Sequence, residues 1–231
     1  VIMENNSKDK YKIDFDFDKE FFIHRIDTKT AKEYIIKNHY AHGCHNGPSP
    51  CYGLFRYTNE GLFGQDIKLI GVLMFATPCS EAVRASLFGE EYKDSVTELH
   101  RLHILDETPN NTESWFVSRC LKLLLEDKPK IWGVISFSDS TEGHEGTIYK
   151  ATNAFRCGKT GSATFYMDED GRLHHPRQSG VNITEEMAKE RNWKPVKRDS
   201  KNRYIYILGK NKRERKQHLK LFKEHFKGEI N

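Results

Sequence analysis

The sequence contains no long apolar run: no stretch of 18 consecutive apolar residues occurs in it, so we expect no membrane-spanning helix. Residues 1–18 are polar and charged and include no apolar segment, which predicts that no secretory signal peptide is present. Cysteine is scarce, with five residues scattered along the chain, and an odd number disfavours a disulfide framework. These absences disfavour the secreted and membrane-spanning classes and predict a protein of the cytoplasm.

Charge is unevenly distributed along the 231 residues, which we expect to form one domain with small appendages. The formal net charge is +4, but residues 187–231 alone carry 15 Lys and Arg against 5 Asp and Glu. The preceding 186 residues carry 22 basic and 28 acidic side chains, a net charge of −6. A basic end on an acidic body predicts a polyanionic partner such as nucleic acid, although a solvated charged tail would give the same pattern.

Apolar strand patterns alternate with helical patterns along the chain. The predicted strands cover residues 21–26, 52–58, 68–76, 96–105, 131–137, 162–167 and 203–208. The predicted helices cover residues 30–38, 80–92, 114–125, 146–154 and 211–227. This mixture predicts an α/β (α+β) domain around one mixed central sheet flanked by helices, and the order of the elements resembles the GNAT acyltransferase fold. We expect a polar extension over residues 1–20, a GNAT-like catalytic domain over 21–209 and a basic C-terminal helix over 210–231.

The segment after the fifth predicted strand is the most informative part of the sequence. The buried pattern at 131–137 stops just before Asp139, and Tyr149 lies early in the next predicted helix. Ligands of open α/β sheets bind beyond the carboxyl ends of strands, so both side chains are candidate catalytic residues. The alternative is structural: Asp139 begins a turn and Tyr149 packs in the core.

Four potential metal ligands, His39, His42, Cys44 and His45, lie within seven residues. Imidazole and thiolate groups bind zinc, iron and copper. The spacing matches no standard structural zinc motif, however, and a histidine-rich polar turn is the alternative. His39 and His42 are the candidate metal ligands, with Asp139 or His144 as a candidate to complete the site in space.

A polar turn without glycine precedes the helix predicted at 114–125. Backbone N–H groups and the dipole at a helix N-terminus form an anion site, which in GNAT enzymes holds the pyrophosphate of acyl-CoA, normally on a glycine-rich loop. The candidate cofactor-binding residues are Asn111, Thr112 and Ser114. The missing glycines leave the alternative that these side chains only cap the helix, with Asn110 and Glu113 as a capping box.

Basic residues alternate with aromatic ones in the last third of the chain, a pattern that favours phosphate contacts and base stacking. On the fourth predicted strand, period 2 places Glu98 and His100 on one side and Arg101 on the other. Arg101 is a candidate for substrate contact or for a buried ion pair with Glu98. The candidate nucleic-acid-binding residues are Arg101, His175, Arg177, Lys197, Arg198, Lys212 and Arg213.

Six short motifs, taken together and in order, resemble the Mom DNA-modification family of bacteriophage Mu. They are Asn38-His39-Tyr40, Glu98-Leu99 with Arg101-Leu102, Pro109 with Asn111-Thr112-Glu113-Ser114, Ile135-Ser136-Phe137 with Asp139, Gly146-Thr147-Ile148-Tyr149-Lys150-Ala151, and His175-Pro176-Arg177. Each motif is short, but the six span residues 35–180.

The resemblance implies a GNAT-like enzyme that converts adenine in DNA to N6-carbamoylmethyladenine and so hides phage DNA from the restriction endonucleases of the bacterial host. It implies an active site that contains His39, Tyr40, Asp139 and Tyr149. It also implies double-stranded DNA as the partner, with an adenine flipped out of the helix. The donor stays open between acyl-CoA and a glycine-derived compound, and so does a requirement for iron.

Two alternatives to DNA modification remain at this point. One is a generic GNAT acyltransferase that acts on a protein, a tRNA or a small amine. The other is a non-catalytic DNA-binding protein that blocks restriction, for which DNA affinity falls steeply with salt and no covalent product forms.

Overall fold

The computed structural model describes residues 16–39, 43–44, 47, 50–61, 64–78, 80–138, 146–178 and 181–230, with the backbone alone at 59–61, 64–65, 177–178 and 181. Its strands are β1 (Phe21–Ile26), β2 (Cys51–Gly61), β3 (Gly64–Ala76), β4 (Val96–Ile104), β5 (Gly133–Ser138), β6 (Phe155–Lys159), β7 (Ala163–Met167), β8 (Leu173–His174), β9 (Arg177–Gln178), β10 (Val181–Asn182), β11 (Lys194–Arg198) and β12 (Asn202–Ile207). Its helices are α1 (Phe17–Glu20), α2 (Thr28–Asn38), α3 (Glu81–Phe88), α4 (Thr112–Asp127), α5 (Thr147–Ala151), α6 (Glu185–Glu190) and α7 (Lys212–His225), with a 3-10 helix at Glu90–Ser95. Within these residues, no helix combines the length and the apolar character that crossing a membrane requires.

Seven strands form the central sheet in the order β1-β2-β3-β4-β5-β12-β6. Neighbouring strands are antiparallel except β4 and β5, which run parallel. Side chains alternate across the sheet, so Val134 packs beneath α4 while Ile135 packs beneath α3 and α7 on the opposite face. The predicted α/β class, the mixed central sheet and the C-terminal helix are confirmed.

The parallel strands β4 and β5 pair only where they begin. Residues 96–98 lie beside residues 133–135, and no further pairing joins the two strands in the described part of the chain. Strand β4 also carries one extra residue, because Arg101 opposes Met74 of β3 and Leu99 opposes Phe75, which leaves His100 in a bulge. The divergence opens a gap in the middle of the sheet, and the bulge turns consecutive β4 side chains toward it.

Residues 160–201, here named the appendage, are inserted between β6 and β12. They contain a three-stranded sheet in the order β11-β7-β8, the two-stranded pair β10-β9, and α6. Only the strand at 162–167 was predicted here. Strand β11 has mostly exposed side chains and is held by backbone pairing with β7, so it carries no apolar alternation that a sequence pattern could detect.

Two predicted helices have different limits in the structure. The helix predicted at 80–92 is divided into α3 and the 3-10 helix, because Gly89 adopts a positive φ of 94° that no helix contains. The helix predicted at 146–154 ends at Ala151. The chain reverses through Asn153, with φ of 60°, and continues as β6, which the helical pattern had hidden.

Candidate active site

A cavity of about 690 Å³, here named the main cavity, lies where β4 and β5 diverge. Residues 98–104 of β4 form one wall and residues 136–138 of β5 the wall opposite. Residues 146–149 at the start of α5 form a third side, and the appendage forms a fourth. Sites for small molecules usually enclose about 300–1,000 Å³, so the cavity has room for a purine base and a small transferred group.

Tyr149 reaches the main cavity from α5 and is joined to β5 by a hydroxyl pair. Ser136 Oγ lies 2.8 Å from Tyr149 Oη and 3.0 Å from the carbonyl oxygen of Leu99. Ser136 shares its one proton between these two acceptors, and Tyr149 donates its own to the carbonyl oxygen of Phe137 at 3.4 Å. The chain Tyr149–Ser136–Leu99 thus spans the gap between the two diverging strands and fixes the tyrosine hydroxyl at its edge.

The position of Tyr149 also depends on a glycine. Gly146 begins α5 in the left-handed region with φ of 74°, and a Cβ there would lie 2.3 Å from Tyr204 Oη. The absence of a side chain lets α5 approach β12 closely enough for the rings of Tyr149 and Tyr204 to stack at 4.6 Å. Tyr204 is buried, so it forms a rigid support behind Tyr149.

A second side of the main cavity carries two histidines. His39 follows α2 and is only 7% exposed, and its ring lies 6.3 Å from the ring of His103. Tyr34 donates its hydroxyl proton to the carbonyl oxygen of Ile70 at 2.8 Å, so its oxygen accepts the N–H of His103 Nδ1 at 3.3 Å. This assigns the lone pair of His103 to Nε2. Burial lowers the pKa of His103, which keeps the imidazole neutral near pH 7.

The strand β4 places Glu98, His100 and Arg101 along the same cavity. Glu98 Oε1 lies 3.4 Å from His100 Nδ1, which agrees with their shared side of the strand. Arg101 donates from Nε to the carbonyl oxygen of Gly43 and from Nη1 to that of His100, each at 2.8 Å. Glu98 is therefore paired with His100 by a hydrogen bond rather than with Arg101, which ties β4 to the segment after α2.

The appendage contributes an aromatic and basic wall. The guanidinium of Arg198 on β11 lies 5.7 Å from the ring centre of Phe165 on β7, and the ring of His175 meets Phe165 edge-on at 4.9 Å. All three side chains line the main cavity, together with Lys201. The predicted binding residues His175 and Arg198 are therefore brought together, beside a phenylalanine that the sequence did not single out.

The predicted anion site lies at a separate cavity of about 320 Å³, here named the second cavity, at the N-terminus of α4. Asn111 is the N-cap residue in a left-handed conformation without a side-chain cap hydrogen bond, so the predicted capping box of Asn110 and Glu113 is wrong. The hydroxyls of Thr112 and Ser114 donate to the carbonyl oxygens of Pro109 (2.6 Å) and Asn111 (3.0 Å).

The charge of the second cavity disfavours a diphosphate. Two carboxylates, Asp106 and Glu113, line it, and its described lining includes neither lysine nor arginine. A pyrophosphate gains affinity from backbone N–H groups and cations and loses it beside carboxylates. The residues present therefore do not fit the diphosphate of a bound CoA.

The predicted metal site lies only partly within the described residues. Within the described ranges, no group of three or more His, Cys, Asp or Glu side chains converges on one point. Of the predicted ligand pair, His39 lies at the main cavity, and His42 falls outside the described residues. The four cysteines that are described, Cys44, Cys51, Cys120 and Cys157, are free thiols.

The remaining predicted residues fall into three groups. Tyr40 and Asp139 lie outside the described residues, and of Arg177 only the backbone in β9 is described. Lys212 and Arg213 are exposed at the start of α7, and Lys197 is exposed on β11. These three lysine and arginine residues are not part of the main cavity lining.

Sequence reasoning missed Ser136, Ser138, His103 and Phe165, all of which line the main cavity. The two serines carried a detectable signal, because hydroxyls at alternate positions of an otherwise apolar strand face one side of the sheet. His103 and Phe165 carried none, since their relevance depends on the bulge in β4 and on the fold of the appendage.

The fold is a mixed α/β domain whose central parallel strands diverge around a polar, partly basic cavity, the place where open α/β sheets usually bind their ligands. The model of the Mom protein family matches residues 20–226. A curated relative, the methylcarbamoylase mom of Escherichia phage Mu, is 31% identical over 216 residues, which cover 89% of this chain and 82% of the relative. The chain belongs to the Mom family.

Solved structures with the same general arrangement are more distant. NAA60 of Arabidopsis thaliana, solved in complex with acetyl-CoA, is 11% identical with a TM-score of 0.49, covering 81% of this chain and 98% of that one. The ribosomal-protein-S5-alanine acetyltransferase of Vibrio fischeri is 10% identical with a TM-score of 0.45, covering 84% and 95%.

Proposed function

We propose that this protein is a transferase that adds a carbamoylmethyl or closely related group to N6 of adenine in DNA, and so protects phage DNA from restriction inside the bacterial host. Membership of the Mom family carries the proposal, because the relative from phage Mu is named a methylcarbamoylase. The main cavity supports the proposal, because hydroxyl, imidazole, carboxylate and guanidinium groups surround a space with room for a purine base and a small transferred group.

Adenine N6 is a difficult nucleophile, since its lone pair is delocalised into the ring and the amine is paired inside the duplex. The base must therefore leave the helix before it reacts. The main cavity offers the flipped base the aromatic and basic wall of Phe165, His175 and Arg198. This wall suits the face of a base and the phosphate that follows it into the site.

The chemistry assigned to the site is proton transfer around the N6 amine. Asp139 follows β5 directly in the sequence, and in this proposal its carboxylate accepts the N6 proton as the bond to the transferred carbon forms. Tyr149 returns a proton to the leaving group as the bond between that group and the transferred carbon breaks, and its contact with Ser136 holds the tyrosine hydroxyl in place. His39 and Tyr40 hold the donor or, if iron is required, His39 and His42 contribute its ligands.

The phosphate backbone is assigned to the outer surface of α7. Arg213, Lys216, Lys220 and Lys223 recur every three or four residues and are all exposed, while His218 and Phe222 bury the opposite side of the helix. A row of cations along one face follows a line of phosphates and makes binding depend strongly on salt. Lys212, Lys197 and Arg177 are placed in the same interface.

The donor is proposed to be a small compound rather than a CoA thioester held at the N-terminus of α4. The acidic lining of the second cavity supports this choice. A glycine-derived donor fits the main cavity together with the base.

The function is tested by expressing the protein in bacteria, digesting the cellular DNA to nucleosides and measuring them by mass spectrometry. We expect a modified deoxyadenosine with the mass of an N6-carbamoylmethyl or related adduct, lost in Asp139→Asn. Unmodified DNA from cells that hold abundant folded protein would contradict the proposal. Acetyl-CoA binding by the purified protein would then favour the generic acyltransferase, and salt-sensitive DNA binding without a product would favour the binder.

A further inference from the structure

Strand β5 presents two hydroxyls to the main cavity, and they differ in their hydrogen bonds. Val134, Ser136 and Ser138 alternate on one side of the strand, where Val134 belongs to the core beneath α4. Ser136 is fully engaged, because it contacts both Tyr149 and the carbonyl oxygen of Leu99. Ser138, two residues further toward the end of β5, also lines the cavity.

Ser138 is 3% exposed, and its Oγ has no hydrogen-bond partner among the described residues. A buried hydroxyl without a partner destabilises a folded protein, and the great majority of such groups are paired. Its backbone is fixed, because β5 pairs with β12 and places Ser138 opposite Asn202. Because Ser138 itself lines the main cavity on a rigid strand, a molecule bound in that cavity is the nearest candidate partner for this hydroxyl.

We infer that Ser138 is a ligand-contacting residue of the main cavity, whose hydroxyl hydrogen-bonds a carbonyl oxygen or ring nitrogen of the bound substrate. The unpaired hydroxyl of Ser138 then destabilises the free protein, and the hydrogen bond to substrate offsets this cost in the complex. The ligand chemistry rests on the function proposed above and has two sources, the flipped adenine and the amide of the transferred group. Ser136 cannot take this role without breaking its contact with Leu99 or Tyr149.

The inference predicts opposite effects of Ser138→Ala on stability and on activity. We expect the thermal midpoint to stay the same or rise, because an unsatisfied buried hydroxyl is removed, and adenine modification to fall at least tenfold. Thr97→Val is the matched control, because the buried hydroxyl of Thr97 donates to the carbonyl oxygen of Ala76 at 2.9 Å and lies outside the cavity lining. We expect Thr97→Val to lower the midpoint and to keep the activity of the folded protein.

A third variant, Ser138→Thr, restores the hydroxyl and should recover part of the activity that Ser138→Ala loses. A duplex that carries 2-aminopurine at the target position separates the two sources of the contact. If Ser138→Ala abolishes the fluorescence increase that accompanies base flipping, the hydroxyl contacts the base. If the increase persists while modification falls, the hydroxyl contacts the transferred group.

Two results would overturn the inference. Full activity of Ser138→Ala would mean that no ligand uses the hydroxyl, and a midpoint lowered as far as in Thr97→Val would mean that the hydroxyl has a partner within the protein. If the wild type modifies no adenine, the proposed function fails instead. The comparison of midpoints, together with the 2-aminopurine signal, then still decides whether Ser138 contacts a bound base.

Discussion

The main cavity and the second cavity share a border but differ in charge. Both are lined by Asp106 and Glu113, yet only the main cavity adds Arg198 and Lys201 from the appendage. The second cavity lies at a helix N-terminus, where anions usually bind, yet its described lining adds two carboxylates and no lysine or arginine, and the hydroxyls of Thr112 and Ser114 are bonded internally. A helix N-terminus alone therefore does not make a phosphate site, and the cations contributed by the appendage lie at the main cavity instead.

The largest effect of a substitution at the main cavity is expected at Tyr149. Tyr149→Phe removes the hydroxyl that contacts Ser136 at the main cavity, and we expect adenine modification to fall by about 10²–10⁴-fold, the usual contribution of a proton donor. Quantified nucleosides from cells with equal amounts of each protein would measure it. The matched control is Tyr206→Phe, because the Tyr206 hydroxyl lies 2.6 Å from Thr152 Oγ1 in the core. Equal activity of the two variants would contradict the role of Tyr149.

Gly146→Ala tests whether the placement of α5 matters to the main cavity. The new Cβ would meet Tyr204 Oη at 2.3 Å and displace Tyr149, so we expect at least a tenfold loss of modification and a clear loss of stability. Gly171→Ala is the control, because Gly171 has a similar φ of 79° with no atom within 4 Å. That variant should lose only about 1–2 kcal/mol, the cost of a left-handed side chain. Equal unfolding midpoints would show that the close contact with Tyr204 is unimportant.

Removal of single positive charges tests which surfaces of the protein bind DNA. Arg198→Gln and Lys216→Gln should each weaken DNA binding, and each should lower the slope of log affinity against log salt by about 1 for a lost phosphate contact. Fluorescence anisotropy with a labelled duplex at several salt concentrations measures this slope. The control is Lys122→Gln. Lys122 is an exposed lysine of α4, which lies on the face of the sheet opposite α7. A slope that falls equally in the control would remove α7 and the appendage from the interface.

The smallest effect is expected at the second cavity. Thr112→Val and Ser114→Ala each remove one internal hydrogen bond, so we expect the free energy of unfolding to fall by about 0.5–1.5 kcal/mol and modification to stay within twofold of the wild type. Chemical denaturation and nucleoside analysis measure the two effects. Loss of modification by either folded variant would place the donor at this helix end after all.

The sequence predicted the central sheet well because its strands are apolar and bounded by turns. Strand β5 shows why, since Val134 and Ile135 are both fully buried between helices on opposite faces and produce a continuous apolar run. The appendage was largely missed because it is stabilised differently. Its strand β11 is mostly exposed, and Trp193 is held by stacking on His174 at 4.0 Å rather than by a periodic core.

The candidate site was predictable only where a motif carried the information. Tyr149, His175 and Arg198 were singled out and do line the main cavity, although their roles stay predictions. His103 could not be found, because the bulge at His100 that turns this part of β4 toward the cavity has no local sequence signature. The predicted capping box of Asn110 and Glu113 was wrong because the N-cap residue is Asn111, in a left-handed conformation. Nothing in the local sequence indicates that conformation.

The central claim is that the main cavity, and not the second, receives the adenine. Photo-crosslinking with a duplex that carries 8-azidoadenine at the modified position, followed by peptide mass spectrometry, tests it directly. We predict crosslinks to the end of β5, to the start of α5 and to the wall that contains Phe165. Crosslinks confined to the turn before α4, around Asn111, would contradict the claim.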